Sequence, residues 1–182
     1  MKLRSVLSGF GTLVLVLGFN SCDVSNDTEF VCQEDFTGAL VENENVLVGK
    51  WELTAIVAEK EVDLTSDSES NPKTDIYVQY SECDRDANFV YTSDRGYTNS
   101  QGQSAENCTN KAKFSGTWKL NGNVLSFVNN CSSQNMTLEF NEDKSAYSFT
   151  GNYNITDANG QKILTDITFT YSKADSETEP VE

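Results

Sequence analysis

The sequence predicts an all-β fold, an antiparallel up-and-down meander of eight or nine strands. Three observations carry this. Apolar and aromatic residues recur at every second position through most of the chain, the period of a strand with one buried face. Turn-forming residues interrupt these runs every 8–12 residues. The later runs follow one another too closely to leave room for the crossovers that parallel strands need. A meander of this size closes as a barrel or packs as a sandwich.

The elements follow in order. Val48 to Ala58, VGKWELTAIVA, puts Trp51, Leu53, Ala55 and Val57 on one face. The stretch Lys60 to Asn71 is rich in Ser, Asp and Glu and reads as a loop. Asp75 to Tyr80, DIYVQY, is β-branched and aromatic and reads as a strand. Asn88 to Thr92 and Gly96 to Thr98 flank the turn Ser93-Asp94-Arg95, and a polar loop covers Gln101 to Asn110. Lys113 to Leu120 and Val124 to Asn129 flank Asn121-Gly122-Asn123, and Asn-Gly between alternating runs is a hairpin signal. Met136 to Phe140 and Ala146 to Ile155 flank the turn Asn141 to Lys144, and Asp157 to Gly160 leads into Lys162 to Tyr171.

Composition removes whole classes of chemistry. The 182 residues include no histidine, which excludes Ser-His-Asp triads, Cys-His pairs, HExxH zinc sites and every other His-dependent mechanism. Thirteen Lys+Arg against 28 Asp+Glu give a net charge of −15, which repels nucleic-acid phosphates, so no nucleic-acid partner is expected.

The N-terminus carries an address. Lys2 and Arg4 precede a mostly apolar run from Val6 to Phe19, too short for the roughly 20 residues of a membrane span and suited to a secretory signal. Ser21-Cys22 at its end resembles a bacterial lipobox, with Phe19 and Asn20 in the preceding positions. That resemblance implies cleavage before Cys22 and lipidation of its sulfur, hence a membrane contact through acyl chains. Cleavage removes Lys2 and Arg4 and no acid, leaving 11 basic side chains against 28 acidic, a net charge of −17. The expected organisation is a signal peptide at 1–21, an acidic tether at 22–45, a folded domain at 46–173 and an acidic tail at 174–182.

Four further cysteines remain: Cys32, Cys83, Cys108 and Cys131. An even number in an exported chain suggests two disulfides, with three connectivities open. The preferred pairing is Cys83–Cys108, which brackets a Gly/Ser/Asn-rich excursion, with Cys32–Cys131, which pins the tether to the body. Four thiolates without a CxxC pair in an oxidising compartment argue against a metal site.

Gly49-Lys50-Trp51 at the head of the first strand resembles the Gly-x-Trp signature of lipocalins, and Gly116-Thr117-Trp118 repeats it. The run Gly116 to Phe127 and the segment Cys83 to Tyr91 are similar to parts of the lipocalin-like lipoproteins of Bacteroidetes; the likeness covers residues 46–172. It implies a lipocalin-like barrel, with Trp51 closing one end and Gly49 allowing a tight entry into the strand. It also implies an outer-membrane lipoprotein on the periplasmic or the surface-exposed face. Lipocalins pack a late arginine on the first tryptophan; here Lys173 stands near that place. Thr165-Asp166 matches their late Thr-Asp, with Ile167 where they carry tyrosine.

No motif points to catalysis, and neither enzyme activity nor a cofactor is expected. Asp84-x-Asp86-x-Asn88 has the opening spacing of an EF-hand, but Phe89 stands where glycine is required and Arg95 where the last glutamate belongs. A looser Ca²⁺ site from Asp84, Asp86 and Asp94 is the alternative to a plain polar turn. The remaining candidate is the barrel interior, where Leu53, Tyr147, Phe149, Tyr153 and Phe169 are the expected ligand-facing residues. The expectation is a monomeric envelope lipoprotein that binds a small hydrophobic or amphipathic molecule. The alternative is a surface interaction or scaffold protein with a filled core.

Overall fold

The computed structural model describes residues 31–174. The signal peptide, Cys22 and most of the acidic tail lie outside them. Among the described residues no helix is long and apolar enough to cross a membrane.

The chain folds into one all-β antiparallel sheet that curls into a nearly closed barrel. Ten strands are formed: β1 Gly49–Val62, β2 Lys73–Asp75, β3 Asn88–Tyr91, β4 Gly96–Gln101, β5 Ala112–Asn121, β6 Val124–Asn129, β7 Ser132–Thr137, β8 Glu139–Phe140, β9 Ala146–Thr156 and β10 Lys162–Lys173. The sheet runs β7-β6-β5-β4-β3-β1-β10-β9-β8, with β2 paired to β1 off this path. The two ends of the path, β7 and β8, are neighbours in the chain separated only by Leu138. They are two halves of one stave, the first paired to β6 and the second to β9. Leu138 is fully buried and its N–H donates to Asn123 O at 2.8 Å, so the seam is closed there. Beyond it β7 and the segment 149–156 of β9 share no ladder, and the barrel is split along that line.

The interior has a packed end and an open end. Trp51, Trp118, Leu47, Leu125 and Leu138 are fully buried, and Tyr91, Tyr147 and Leu120 nearly so. A 3-10 helix, Glu42–Leu47, caps this end. Trp51 Nε1 donates to Leu47 O at 2.8 Å, Trp118 Nε1 donates to Thr92 O at 3.2 Å, and Tyr91 and Tyr147 share a hydroxyl contact at 3.2 Å. Each polar tip buried there thus has a partner, as burial requires. The Lys173 ammonium lies 5.5 Å from the centre of the Trp51 ring and donates to Val46 O, so lysine fills the place expected for an arginine. Gly49 takes a φ of +125°, a conformation that side chains disfavour. At Gly116 a Cβ would stand 2.0 Å from Val128 O, so β5 and β6 approach too closely there for any side chain.

Three expectations about elements are corrected. The alternation of the first strand breaks at a bulge between Leu53 and Ala55, so Ile56 and Ala58 are buried and Val57 is exposed. The first strand runs on to Val62, into the expected loop. The run DIYVQY is not a strand: after β2 it forms a 3-10 turn over Tyr77–Gln79. The reason is a shared edge. Residues 49–52 of β1 pair with β3, while Val57 and Val62 face β2, so the chain between must leave the sheet. It does so with Ile76 buried in the core and the Gln79 amide bonded to Val62 O and Leu64 N. A single helical turn, α1, follows at Glu82–Arg85, capped by Ser81.

The acidic stretch expected to be a free tether through residue 45 is, from residue 33, docked on the barrel. Gln33 N–H donates to Cys131 O, Phe36 N–H to Thr117 Oγ1, and Arg95 binds the carbonyls of Gly38 and Ala39. Glu44 is fully buried. Its carboxylate accepts two 2.8 Å hydrogen bonds from Arg95 and one each from the N–H groups of Val41 and Leu120. This segment is a strap that ends in the cap.

Candidate functional site

The open end holds a cavity of about 500 Å³, within the range of small-molecule sites. Register shows that it is the barrel interior. Phe89 faces Asn99, Asn99 faces Phe114, Phe127 faces Gln134 and Asn129 faces Ser132, so one row of inward positions runs around β3 to β7. Towards the packed end the same row continues into Trp118, Leu120 and Leu125, which are buried. At the open end it is not: Phe114 is 59% exposed although it points inward. An inward position that meets solvent marks a mouth.

Two kinds of surface line this mouth. Phe89, Tyr97, Phe114 and Phe127, with Met136, form an apolar wall. Tyr97 and Phe127 are 4.6 Å apart between ring centres, and Phe89 stacks on Phe127 at 5.8 Å. Asn99, Asn129, Asn130, Ser132 and Gln134 supply neutral hydrogen-bonding groups set among the rings. Among the described residues no carboxylate, ammonium or guanidinium lines it. The one titratable group, Tyr97, is pushed further above the ordinary phenol range by burial, against a smaller opposing pull from the Asn129 side chain. The lining therefore carries no charge at neutral pH, in a chain that is strongly acidic.

The rim is stapled. Cys83–Cys108 and Cys32–Cys131 are both formed, the pairing preferred from the sequence, and both sit at the open end. The first joins α1 to the β4–β5 loop. Asp86 reinforces it by accepting from the N–H groups of Gly102, Ser104 and Ala105. Burial pushes the Asp86 carboxyl up, and these backbone donors more than offset it, so it lies below its usual value. The second staple ties the strap to the β6–β7 turn, where Asn130 and Cys131 both have positive φ. A mouth held this way is preorganised, which lowers the cost of binding.

The residues expected to face a ligand are placed differently. Leu53 and Tyr147 belong to the packed end, at 6% and 1% exposure, and offer no surface. Phe149 and Phe169 are half-buried and stack on each other at 5.3 Å between centres on the β9–β10 wall. Tyr153 is 40% exposed, its ring folded over Gly151 and edge-on to Phe169. None of the five lines the cavity. The signal that was available is polarity at inward register: Asn99, Asn129, Ser132 and Gln134 alternate with aromatics, and a filled core would not carry them.

The loose Ca²⁺ option also fails. Asp84 and Asp86 hold the open-end loops, whereas Asp94 lies in the turn at the opposite end of β3 and accepts from Thr92 Oγ1 and Gly96 N–H. Among the described residues no cluster of three potential acidic, cysteine or histidine ligands forms.

No curated protein matches this chain. A family model described as a domain of unknown function (DUF5004) matches residues 25–174, which takes in the strap, both staples and the whole barrel, and the chain belongs to that family.

Proposed function

We propose that this protein is a lipocalin-like envelope lipoprotein, acylated at Cys22, whose barrel mouth binds a small, neutral, hydrophobic or amphipathic molecule. One observation carries the ligand reading: an uncharged cavity inside the barrel whose lining interleaves aromatic rings with neutral amides. Such a lining suits a molecule with an apolar body and an uncharged hydrogen-bonding group. A charged ligand would lose its hydration there without gaining a counter-ion. The lipobox, and the disulfides that fit an oxidising compartment, support the envelope placement. Enzyme activity forms no part of this reading.

Both tryptophans are at the packed end, so their quenching is a poor reporter of binding at the mouth. The direct test is the fluorescence of a neutral apolar dye, N-phenyl-1-naphthylamine, titrated into the purified protein. Bound dye should brighten, and an uncharged monoacylglycerol should displace it better than the fatty acid of the same chain length. Phe114→Ala, which trims an exposed ring, should weaken dye binding about tenfold and leave the melting temperature unchanged. Dye binding that ignores Phe114→Ala, or equal displacement by the charged lipid, would sink the assignment to this mouth.

A further inference from the structure

We propose that the rim of the open end is the membrane-facing surface of the protein, and that the Cys32–Cys131 disulfide sets this orientation. The inference rests on acylation of Cys22. Its structural basis is where the strap begins. Cys131 lies in the β6–β7 turn, next to Asn129, Asn130 and Ser132 of the mouth. From Cys32 the strap runs down the outside of β5, past Thr117, to Arg95 and the cap at the packed end. Without the disulfide, only single backbone hydrogen bonds from Gln33 and Phe36 would hold the strap before the Arg95 contacts at Gly38 and Ala39, and their loss would free it that far. The chain would then leave the barrel near its packed end.

The staple moves that exit point to the opposite end. Nine residues separate Cys22 from Cys32, and the ten steps between them reach at most about 36 Å in any conformation. β5 alone, with its 10 residues, is about 34 Å long. Fixed at the mouth, a leash that spans the length of one strand only at full extension keeps the mouth nearer the anchor and leaves the packed end outermost. The rim surface agrees with this. Val31, beside the staple, is 83% exposed, and Phe114 and Tyr153 expose their rings at the same end. Apolar groups of this kind are stabilised at a lipid headgroup boundary.

The test uses the acylated protein reconstituted in phosphatidylcholine vesicles that carry a nitroxide-labelled lipid. Two variants place a tryptophan at opposite ends: Phe114→Trp at the mouth and Val124→Trp at the β5–β6 hairpin of the packed end. Quenching above the wild-type background should be at least twofold greater for Phe114→Trp. Equal quenching, or stronger quenching of Val124→Trp, overturns the orientation. A mass spectrum of the N-terminal peptide separates the two levels. An unacylated Cys22 removes the anchor and this inference with it, while dye binding at the mouth would be unaffected. An acylated chain with equal quenching overturns the orientation alone. A third variant inserts a 20-residue Gly/Ser segment between Ser25 and Asn26. It should abolish the difference, and a difference that persists overturns the short-leash mechanism.

Discussion

Glu44 sits in a stretch whose composition reads as a solvated tether, yet its carboxylate takes four hydrogen bonds and meets no solvent. Arg95, its partner, holds a left-handed backbone at φ +71° and also binds the carbonyls of Gly38, Ala39 and Trp118. The Arg95 guanidinium holds the Glu44 carboxyl below its ordinary value, against the opposing effect of burial. Glu44→Gln leaves a buried guanidinium without its counter-charge and should cost about 3–5 kcal/mol in urea denaturation. The sign with pH follows from the lowered value. The contribution is complete above the ordinary carboxylate value of 4.5 and is lost as the pH falls through the folded value, so the wild type should lose stability on acidification more steeply than Glu44→Gln. Gly116 is a second residue whose role is geometric. Gly116→Ala forces a methyl onto Val128 O and should destabilise by about 1–3 kcal/mol through displacement of β5 from β6, read in the same assay.

At the scale of elements, the two disulfides divide the work of holding the open end. Cys32–Cys131 closes 99 residues and Cys83–Cys108 closes 25. In the chain-entropy account these closures contribute about 4.7 and about 3.5 kcal/mol. Paired Cys→Ser variants should therefore differ in denaturation midpoint, with loss of Cys32–Cys131 the more costly. Loss of Cys83–Cys108 should instead be felt in dye binding, because it frees the β4–β5 loop beside the mouth. The elements themselves were mostly legible: the Asn-Gly hairpin and the alternation in β5, β6, β9 and β10 specify register locally. The run DIYVQY was not legible as a turn. Its strand propensity is overridden by an edge already taken by β3, a fact that no window of sequence contains.

For the whole molecule, the barrel is tight at one end and split at the other. Between Ser132–Thr137 and residues 149–156 the two edges face one another without a ladder. Hydrogen exchange should show this: amides of β7 and of 149–156 should exchange faster than those of Trp51 and Glu52, which lie between β10 and β3. Uniform protection around the barrel would mean that the seam is closed along its full length. The sequence by itself determined the all-β class, the meander and the cysteines available for pairing. These follow from period, turn chemistry and composition, which act over a few residues. Only the tertiary structure decided which inward positions pack and which line a mouth. Leu53 and Phe114 both point inward by alternation, but one meets the opposite wall and the other meets solvent. It also decided that half of an acidic tether is a strap. The burial of Glu44 depends on an arginine 51 residues away, and charge counting along the chain cannot see a partner that only folding brings near.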